Sequence, residues 1–369
     1  MRCNHISHSA NIVPMTSASA SPTPATLRET LQHLAPGTQL RDGLDRIVRG
    51  RTGALIVIGA GPEVTDLCDG GIEFDVPFAP TLLRELSKMD GAVILSDDAS
   101  RIRRANVQVV PSPSFPTSES GTRHRSAERT AQQSGRPVIA VSQSMNVITL
   151  YVEGQRYVLD SPETILTRAN QAIGTLERYR SRLDHANQRL FVSEINNYAT
   201  VADVVAVMQR ELLVKRVGIE LDQNVLELGT DGRQLNLQLT ELRGDNDRQI
   251  ELLIRDYLVA EGPPSDEDVA EATRALDALA DADLLKPANV ARILGLPVTE
   301  ESLTQWIVPR GYRVLSRVPR VQMFLKHKII TALGDVKALL AASEEELAEI
   351  DNVGGLWARH VHEGLARLS

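Results

Sequence analysis

Two short segments of the chain carry side chains whose types and spacing could do chemistry. The first is Gly121-Thr122-Arg123-His124-Arg125-Ser126, which opens a predicted helix, because Ala127 and Ala131 follow at helical spacing and Gly135 ends the run. Thr122 is a good N-cap residue. The first turn then carries two arginines and a histidine. That is the wrong sign for a helix N-terminus, where the macrodipole already places positive charge, and each such cation costs roughly 0.3 kcal/mol or more. An anion reverses the penalty. Free backbone N–H groups, a threonine hydroxyl and two guanidiniums together cradle phosphate. The plainer alternative is a solvated first turn whose arginines pair with Glu119 and Glu128.

The second segment is Lys88-Met89-Asp90-Gly91-Ala92-Val93. A helix ends, the chain turns at Asp90-Gly91, and a buried strand begins. Asp-Gly is a common turn dipeptide, which by itself accounts for the pair. The functional alternative is a carboxylate at a sheet edge, able to bind a hard divalent ion, beside a glycine that lets a ligand approach the backbone.

Both segments need a scaffold, and the surrounding sequence predicts one. Short apolar runs at 54–58, 92–95, 107–110, 138–141 and 147–152 read as strands. Helical spacing covers 27–34, 40–48, 80–89 and 122–134. The alternation predicts an α/β domain over residues 26–160, a central mixed sheet covered by helices. At Pro162 the pattern changes: Ile165, Ala169, Ile173, Leu176 and Leu183 form one helical stripe, opening an all-α middle domain expected to run over 161–283. Residues 261–283 hold eight acids and one arginine, which reads as a linker or a solvated acidic face. Residues 284–369 form a third unit of short helices, with six Arg or Lys and no acid between Arg310 and Lys328. Its segments 314–333 and 345–366 read as two degenerate copies of one helix-turn-helix unit.

Composition bounds the rest. A net charge of −8 argues against a wholly basic protein that coats nucleic acid, and 42% hydrophobic residues supply ample core. Two cysteines, Cys3 and Cys68, make no disulfide framework and no Cys-rich metal site. Residues 1–25 read as a disordered tail without the apolar run of a signal peptide, and no stretch reaches the roughly 18 apolar residues of a membrane span, so a cytoplasmic location is expected. Ile58-Gly59-Ala60-Gly61-Pro62 fails the dinucleotide fingerprint, because Val64 stands where its third glycine belongs. Cys68-Asp69-Gly70-Gly71 reads as a turn, Gly229–Arg233 as a loop between helices, and Trp306 and Trp357 as packing residues.

Asp90-Gly91-Ala92 followed by Gly121-Thr122-Arg123-His124-Arg125 resembles the diadenylate cyclase family, which carries both motifs in this order. The strand Ala105–Pro111 and Ser126-Ala127-Glu128-Arg129 strengthen the likeness. It covers nearly the whole chain from Leu27, in the three-part layout of the family members that scan DNA. The resemblance implies ATP as substrate, cyclic di-AMP as product, Mg2+ or Mn2+ as the metal, and a homo-octamer built from facing pairs. It makes Asp90 the catalytic and metal-binding residue, with Gly91 and Val109 bordering the nucleotide, Val109 near the adenine. Thr122, Arg123, His124, Arg125 and Ser126 hold the phosphates, and Ser142 corresponds to another serine of the site. The tail resembles tandem helix-hairpin-helix units that meet DNA phosphates, branched DNA preferred, with Gly354, Gly355 and Arg359 as contacts. Asn352 replaces the usual first glycine there. The rival reading is a DNA-structure sensor that holds nucleotide without turning it over.

Overall fold

The computed structural model describes residues 25–299 and 301–368. The tail expected over 1–25 lies outside them, apart from Ala25, which opens the first helix.

Eight strands form one sheet: β1 Ala54–Ile58, β2 Cys68–Asp69, β3 Ile72–Pro77, β4 Ala92–Leu95, β5 Arg101–Val109, β6 Val138–Val141, β7 Ile148–Val152 and β8 Gln155–Leu159. Their order is β2-β5-β4-β1-β6-β7-β8, with β3 also paired to β5. β1 and β4 run parallel, and the other pairings are antiparallel, so the sheet is mixed as expected. Helices cover both faces. Ala25–Leu34, Gln39–Arg49 and Pro80–Leu86 pack on one side against Ile56, Val93 and Ile139. Thr122–Ser134 packs on the other through Ala127 and Ala131, against Leu55, Ile94 and Val138. This two-sided cover is why β1, β4 and β6 read as unbroken apolar runs, with β7 broken only by Thr149.

Strands β2, β3 and β8 and the first half of β5 were not expected. They lie toward the sheet margins, where one face meets water and charged residues interrupt the apolar signal. On β5, Arg101 and Arg103 reach across to Asp75 of β3 at 2.6 and 2.7 Å.

Register decides which residues meet. Leu55 pairs with Ala92, Ala54 with Val141, and Ala92 with Val107. β1 and β4 therefore begin, and β5 and β6 end, at the same edge. Gly53, Asp90, Gly91, Val109 and Ser142 all fall there. Gly91 has φ +105°, and a Cβ on it would lie 2.7 Å from the Val107 carbonyl oxygen and 2.9 Å from the Asn106 carbonyl carbon. The backbone of β5 thus supplies a packing reason for glycine at this position.

The middle region is built on a long antiparallel hairpin, Pro162–Ile195 and Val201–Leu228. Ser161 caps the first helix, and a Thr200/Asp203 capping box opens the second. At about 1.5 Å per residue the first spans roughly 50 Å. One end of this hairpin grips the α/β domain. The Tyr157 hydroxyl donates to Glu227, Arg168 donates to Asp160, and the Gly229–Gly232 turn lies against Ala35 and Pro36. Of the two readings of the acidic segment, the solvated face is the one present: Asp266–Asp277 is a helix, opened by a Ser265/Asp268 capping box, that buries Val269, Ala272 and Leu276 while its acids face out. The same core continues through Leu284, Val290, Leu294 and Leu296. The boundary expected at 283/284 therefore falls inside a packed core.

The tail core begins at Tyr312. It holds Tyr312–Ser316, Met323–Leu333, Val336–Ala341, Glu344–Glu349 and Gly354–Ala366. Two hairpins match position for position. Arg320 and Asn352 take left-handed φ of 64° and 65°, Val321 and Val353 are buried beside them, and Ile329 matches Val361. The basic stretch 310–328 does not form one surface. Arg310 donates to the carbonyls of Arg255, Asp256 and Gly262, Lys326 is buried, and Arg313 is buried against Glu194 at 2.8 Å. Asp256, also buried, accepts the backbone N–H groups of Gly311, Tyr312 and Arg313 at 2.7, 2.7 and 2.9 Å. These contacts clamp the tail to the far end of the long hairpin and to the helix Asn246–Tyr257 packed on it.

Removing one partner of a buried ion pair strands the other. Arg313→Ala should therefore cost about 3–5 kcal/mol. Lys328→Ala removes a half-buried surface cation 3.4 Å from Asp351 and should stay within about 0.5 kcal/mol. Urea unfolding of both variants checks the contrast.

Candidate functional site

The helix Thr122–Ser134 aims its first turn at the sheet edge described above. Its N-cap is Gly121, with φ −81° and ψ 139°, one residue before the Thr122 expected from sequence. A glycine cap brings no side chain to occupy the first-turn N–H groups, so they stay available to a ligand. At the other end Gly135, with φ +67°, closes the helix in the left-handed conformation.

Three residues of this turn carry the charge and the hydrogen-bonding capacity. The Arg123 guanidinium lies directly over Gly53, where a Cβ would come within 2.1 Å of Nη1. The side chains of Arg123 and Arg125 have no ion pair or hydrogen bond among the described residues. The acids that the plainer reading offered them are engaged elsewhere. Glu119 accepts from Tyr151 at 2.8 Å and Arg156 at 2.6 Å, and Glu128 accepts from Thr117. His124 Nδ1 lies 3.0 Å from the Tyr151 hydroxyl, while its Nε2 is buried without a partner among the described residues. Burial lowers the imidazole pKa most. Glu119 works against that shift, and Arg156 and Arg123 add to it, leaving the ring below its ordinary value.

The structure brings Asp90, Gly91, Val109 and the turn Thr122–Ser126 to one edge. Asp90 is exposed at the entry to β4. Val109 ends β5, paired with Cys68. Thr122 is exposed and Ser126 half-buried. Ser142 Oγ accepts the Met145 N–H at 3.3 Å and its own N–H bonds Val147 O at 2.8 Å, so here it holds the turn between β6 and β7. Among the described residues no group of three His, Cys, Asp or Glu could hold a metal. The exposed carboxylate of Asp90 fits a cation such as Mg2+, which keeps its waters and takes further ligands from substrate phosphates. In the tail, Gly354 and Gly355 are exposed at the start of the last helix, and Arg359 pairs with Glu344 at 3.1 Å.

Sequence reasoning missed Gly53, Tyr151 and Arg156, and gave Glu119 the wrong partners. Gly53 stood beside Gly50 as mere punctuation before a strand, and Tyr151 sat in a fully buried run. Only the β6–β7–β8 pairing, which puts Tyr151 beside Arg156, reveals the cluster.

An anion-binding helix start at the edge of a mixed sheet, carried on a helical hairpin with a terminal pair of matched hairpins, defines a phosphate-binding α/β domain joined to a helical stalk. Comparison with known proteins makes the class specific. Residues 41–156 match the family model described as DisA bacterial checkpoint controller nucleotide-binding, and residues 159–303 match the DisA bacterial checkpoint controller linker region. The DNA integrity scanning protein DisA of Corynebacterium efficiens is 63% identical over 344 residues, covering 93% of this chain and 97% of that one. The protein of the same name from Acidothermus cellulolyticus is 50% identical, covering 93% of each. The solved structure of DacA from Staphylococcus aureus is 26% identical, covering 37% of this chain and 90% of that chain, with a TM-score of 0.31. The chain belongs to the DisA family. Among the described residues no helix is long and apolar enough to cross a membrane.

Gly53→Ala tests the edge directly. Its backbone φ is ordinary, so the fold should persist, but the new methyl displaces the Arg123 guanidinium. Loss of one charge-assisted hydrogen bond, about 1.5–3 kcal/mol, should weaken nucleotide binding roughly 10- to 100-fold by titration calorimetry.

Proposed function

We propose that this chain is a diadenylate cyclase that condenses two ATP into cyclic di-AMP and two pyrophosphates, and that its helical tail couples the reaction to DNA structure. The observation that carries the reading is the meeting, at one sheet edge, of an exposed Asp90 with a helix start whose arginines lack partners. Membership of a nucleotide-binding family supports it.

The residues divide the work as follows. The first-turn N–H groups, Arg123 and Arg125 hold the triphosphate and offset charge as pyrophosphate leaves. Val109, at the end of β5, borders the base, and Gly91 keeps the turn close to β5. Asp90 would hold Mg2+ or Mn2+, which when bound neutralises phosphate charge and favours ionisation of the ribose 3′-hydroxyl. Each chain offers one such edge. Each 3′-hydroxyl must attack the other nucleotide's α-phosphorus, so two edges have to face one another, and assembly of chains is part of the chemistry. Positioning and charge neutralisation supply the rate, with no covalent enzyme intermediate.

In the tail, the exposed Gly354–Gly355 turn and the outward cations Arg320 and Lys328 are the proposed DNA contacts. They address phosphates rather than bases, so binding should depend on DNA shape and salt more than on sequence. Several tails in one assembly can engage several arms of branched DNA.

Chromatography of the products formed from ATP and Mg2+ or Mn2+ tests the reaction. The wild-type chain should yield cyclic di-AMP, and Asp90→Asn should lower the yield roughly 100-fold or more with the fold intact. Wild-type-like synthesis by Asp90→Asn would remove that residue from the mechanism. For the tail, Lys328→Ala should weaken branched-DNA binding at every sequence tried and reduce the salt slope by about 0.9. Anisotropy titrations at several salt concentrations measure both.

A further inference from the structure

The cluster around His124 holds more than phosphate binding requires. Tyr151 has one hydroxyl hydrogen to place, with Glu119 Oε1 at 2.8 Å and His124 Nδ1 at 3.0 Å, while Arg156 beside it can only donate. Arg156 Nε donates to the same Glu119 oxygen at 2.6 Å. Burial pushes the Glu119 carboxyl up, but the hydrogen bonds from Tyr151 and Arg156 more than reverse this and hold it below its ordinary value. A carboxylate only accepts, so the Tyr151 hydrogen goes to Glu119. The Tyr151 oxygen must then accept from His124, and Nδ1 must carry the hydrogen. The lone pair of the neutral ring is left on Nε2, buried and without a partner among the described residues.

That edge of the ring lies at the helix start: a Cβ on Gly121 would sit 4.0 Å from His124 Cδ2. The charged groups facing the ring are Arg123 on its own helix, Glu119 in the preceding loop and Arg156 on β8, with Tyr151 on β7. A phosphate oxygen also only accepts. It and an unprotonated Nε2 repel, and a buried acceptor left unmatched costs about 1–3 kcal/mol.

We propose that Glu119 and Tyr151 are positioning residues that lock His124 in the Nδ1–H form, so that triphosphate binding adds one proton from solvent at Nε2. The ring then donates from both nitrogens, one hydrogen bond to Tyr151 and one to a phosphate oxygen. Glu119, one hydroxyl away, balances the new charge. No other bond changes. This rests on the cyclase reading of the site and deepens it, giving the edge a third cation that exists only when the ligand is bound.

The test uses the full chain labelled with 15N-histidine, and 3′-deoxy-ATP with Mg2+, which lacks the attacking hydroxyl. In the free chain, His124 should show a protonated Nδ1 and an unprotonated Nε2. With the analogue, Nε2 should become protonated, and calorimetry in buffers of different ionisation enthalpy should show uptake of about one proton. Tyr151→Phe should lose the fixed tautomer, reduce proton uptake by more than half and lower kcat/KM about tenfold, the loss usual on removing a histidine's positioning partner. Glu119→Gln keeps shape without charge and should also reduce uptake, which covers the case in which Tyr151→Phe does not fold. An Nε2–H tautomer in the free wild-type chain, or unchanged tautomer and uptake in both variants, overturns the proposal. A chain that shows the tautomer lock but does not bind the analogue contradicts the cyclase reading and the proton uptake, and leaves the lock standing.

Discussion

The functional end of this molecule depends on positive charge held where a helix is already positive. Arg123 and Arg125 sit on the first turn of Thr122–Ser134 without a carboxylate to answer them among the described residues. Such an arrangement costs free energy in the empty protein and is held in place by the rest of the domain. Ala127 and Ala131 fix the helix on the sheet, Gly53 leaves room for one guanidinium, and the Glu119–Tyr151–Arg156 cluster keeps the nearest acid occupied. The missing negative charge is what a triphosphate brings. The same logic explains why Asp90 stands alone: a metal that arrives with phosphate needs one protein carboxylate and not a cage.

The remainder of the chain connects that edge to a distant surface through groups that cannot easily let go. At one end of the helical hairpin, Glu227, Arg168 and the Gly229–Gly232 turn hold the α/β domain. At the other, Glu194 and Asp256 are buried and answered by Arg313 and by three backbone N–H groups of the tail. A buried charge stripped of its partner is costly, so the tail is held as a rigid neighbour of the hairpin. A displacement of the tail is therefore passed to the hairpin, and from there to the α/β domain.

Much of this was legible in the amino-acid sequence, for physical reasons that also mark where legibility stopped. Central strands buried on both faces announce themselves as apolar runs, and β1, β4 and β6 lie where such runs predicted them. The long helix begins at Pro162, where the periodicity changes. Marginal strands such as β3 and β8 have one wet face and were lost among polar residues. The acidic stretch left a linker as one of two readings because charge on one helical face conceals the three apolar residues on the other. At the site, Asp90 and the Thr122–Ser126 turn were visible because their chemistry is local. Tyr151 and Arg156 were not, since each is unexceptional until strand pairing sets them side by side, and only there does Glu119 find its partners. The basic stretch 310–328 misled in the opposite sense: a string of cations says nothing about which point inward, and Arg310, Arg313 and Lys326 do.

The central claim is that one sheet edge holds the triphosphate between Asp90 and the first turn of Thr122–Ser134. A crystal structure of the full chain with 3′-deoxy-ATP and Mn2+ tests it most directly. The account predicts phosphate oxygens within hydrogen-bonding distance of the Arg123 and Arg125 guanidiniums and of the first-turn N–H groups. It also predicts Mn2+ about 2.1 Å from an Asp90 oxygen, and two such edges facing each other across a chain–chain contact. Nucleotide bound elsewhere, or bound here with Asp90 turned away from the metal, would contradict it.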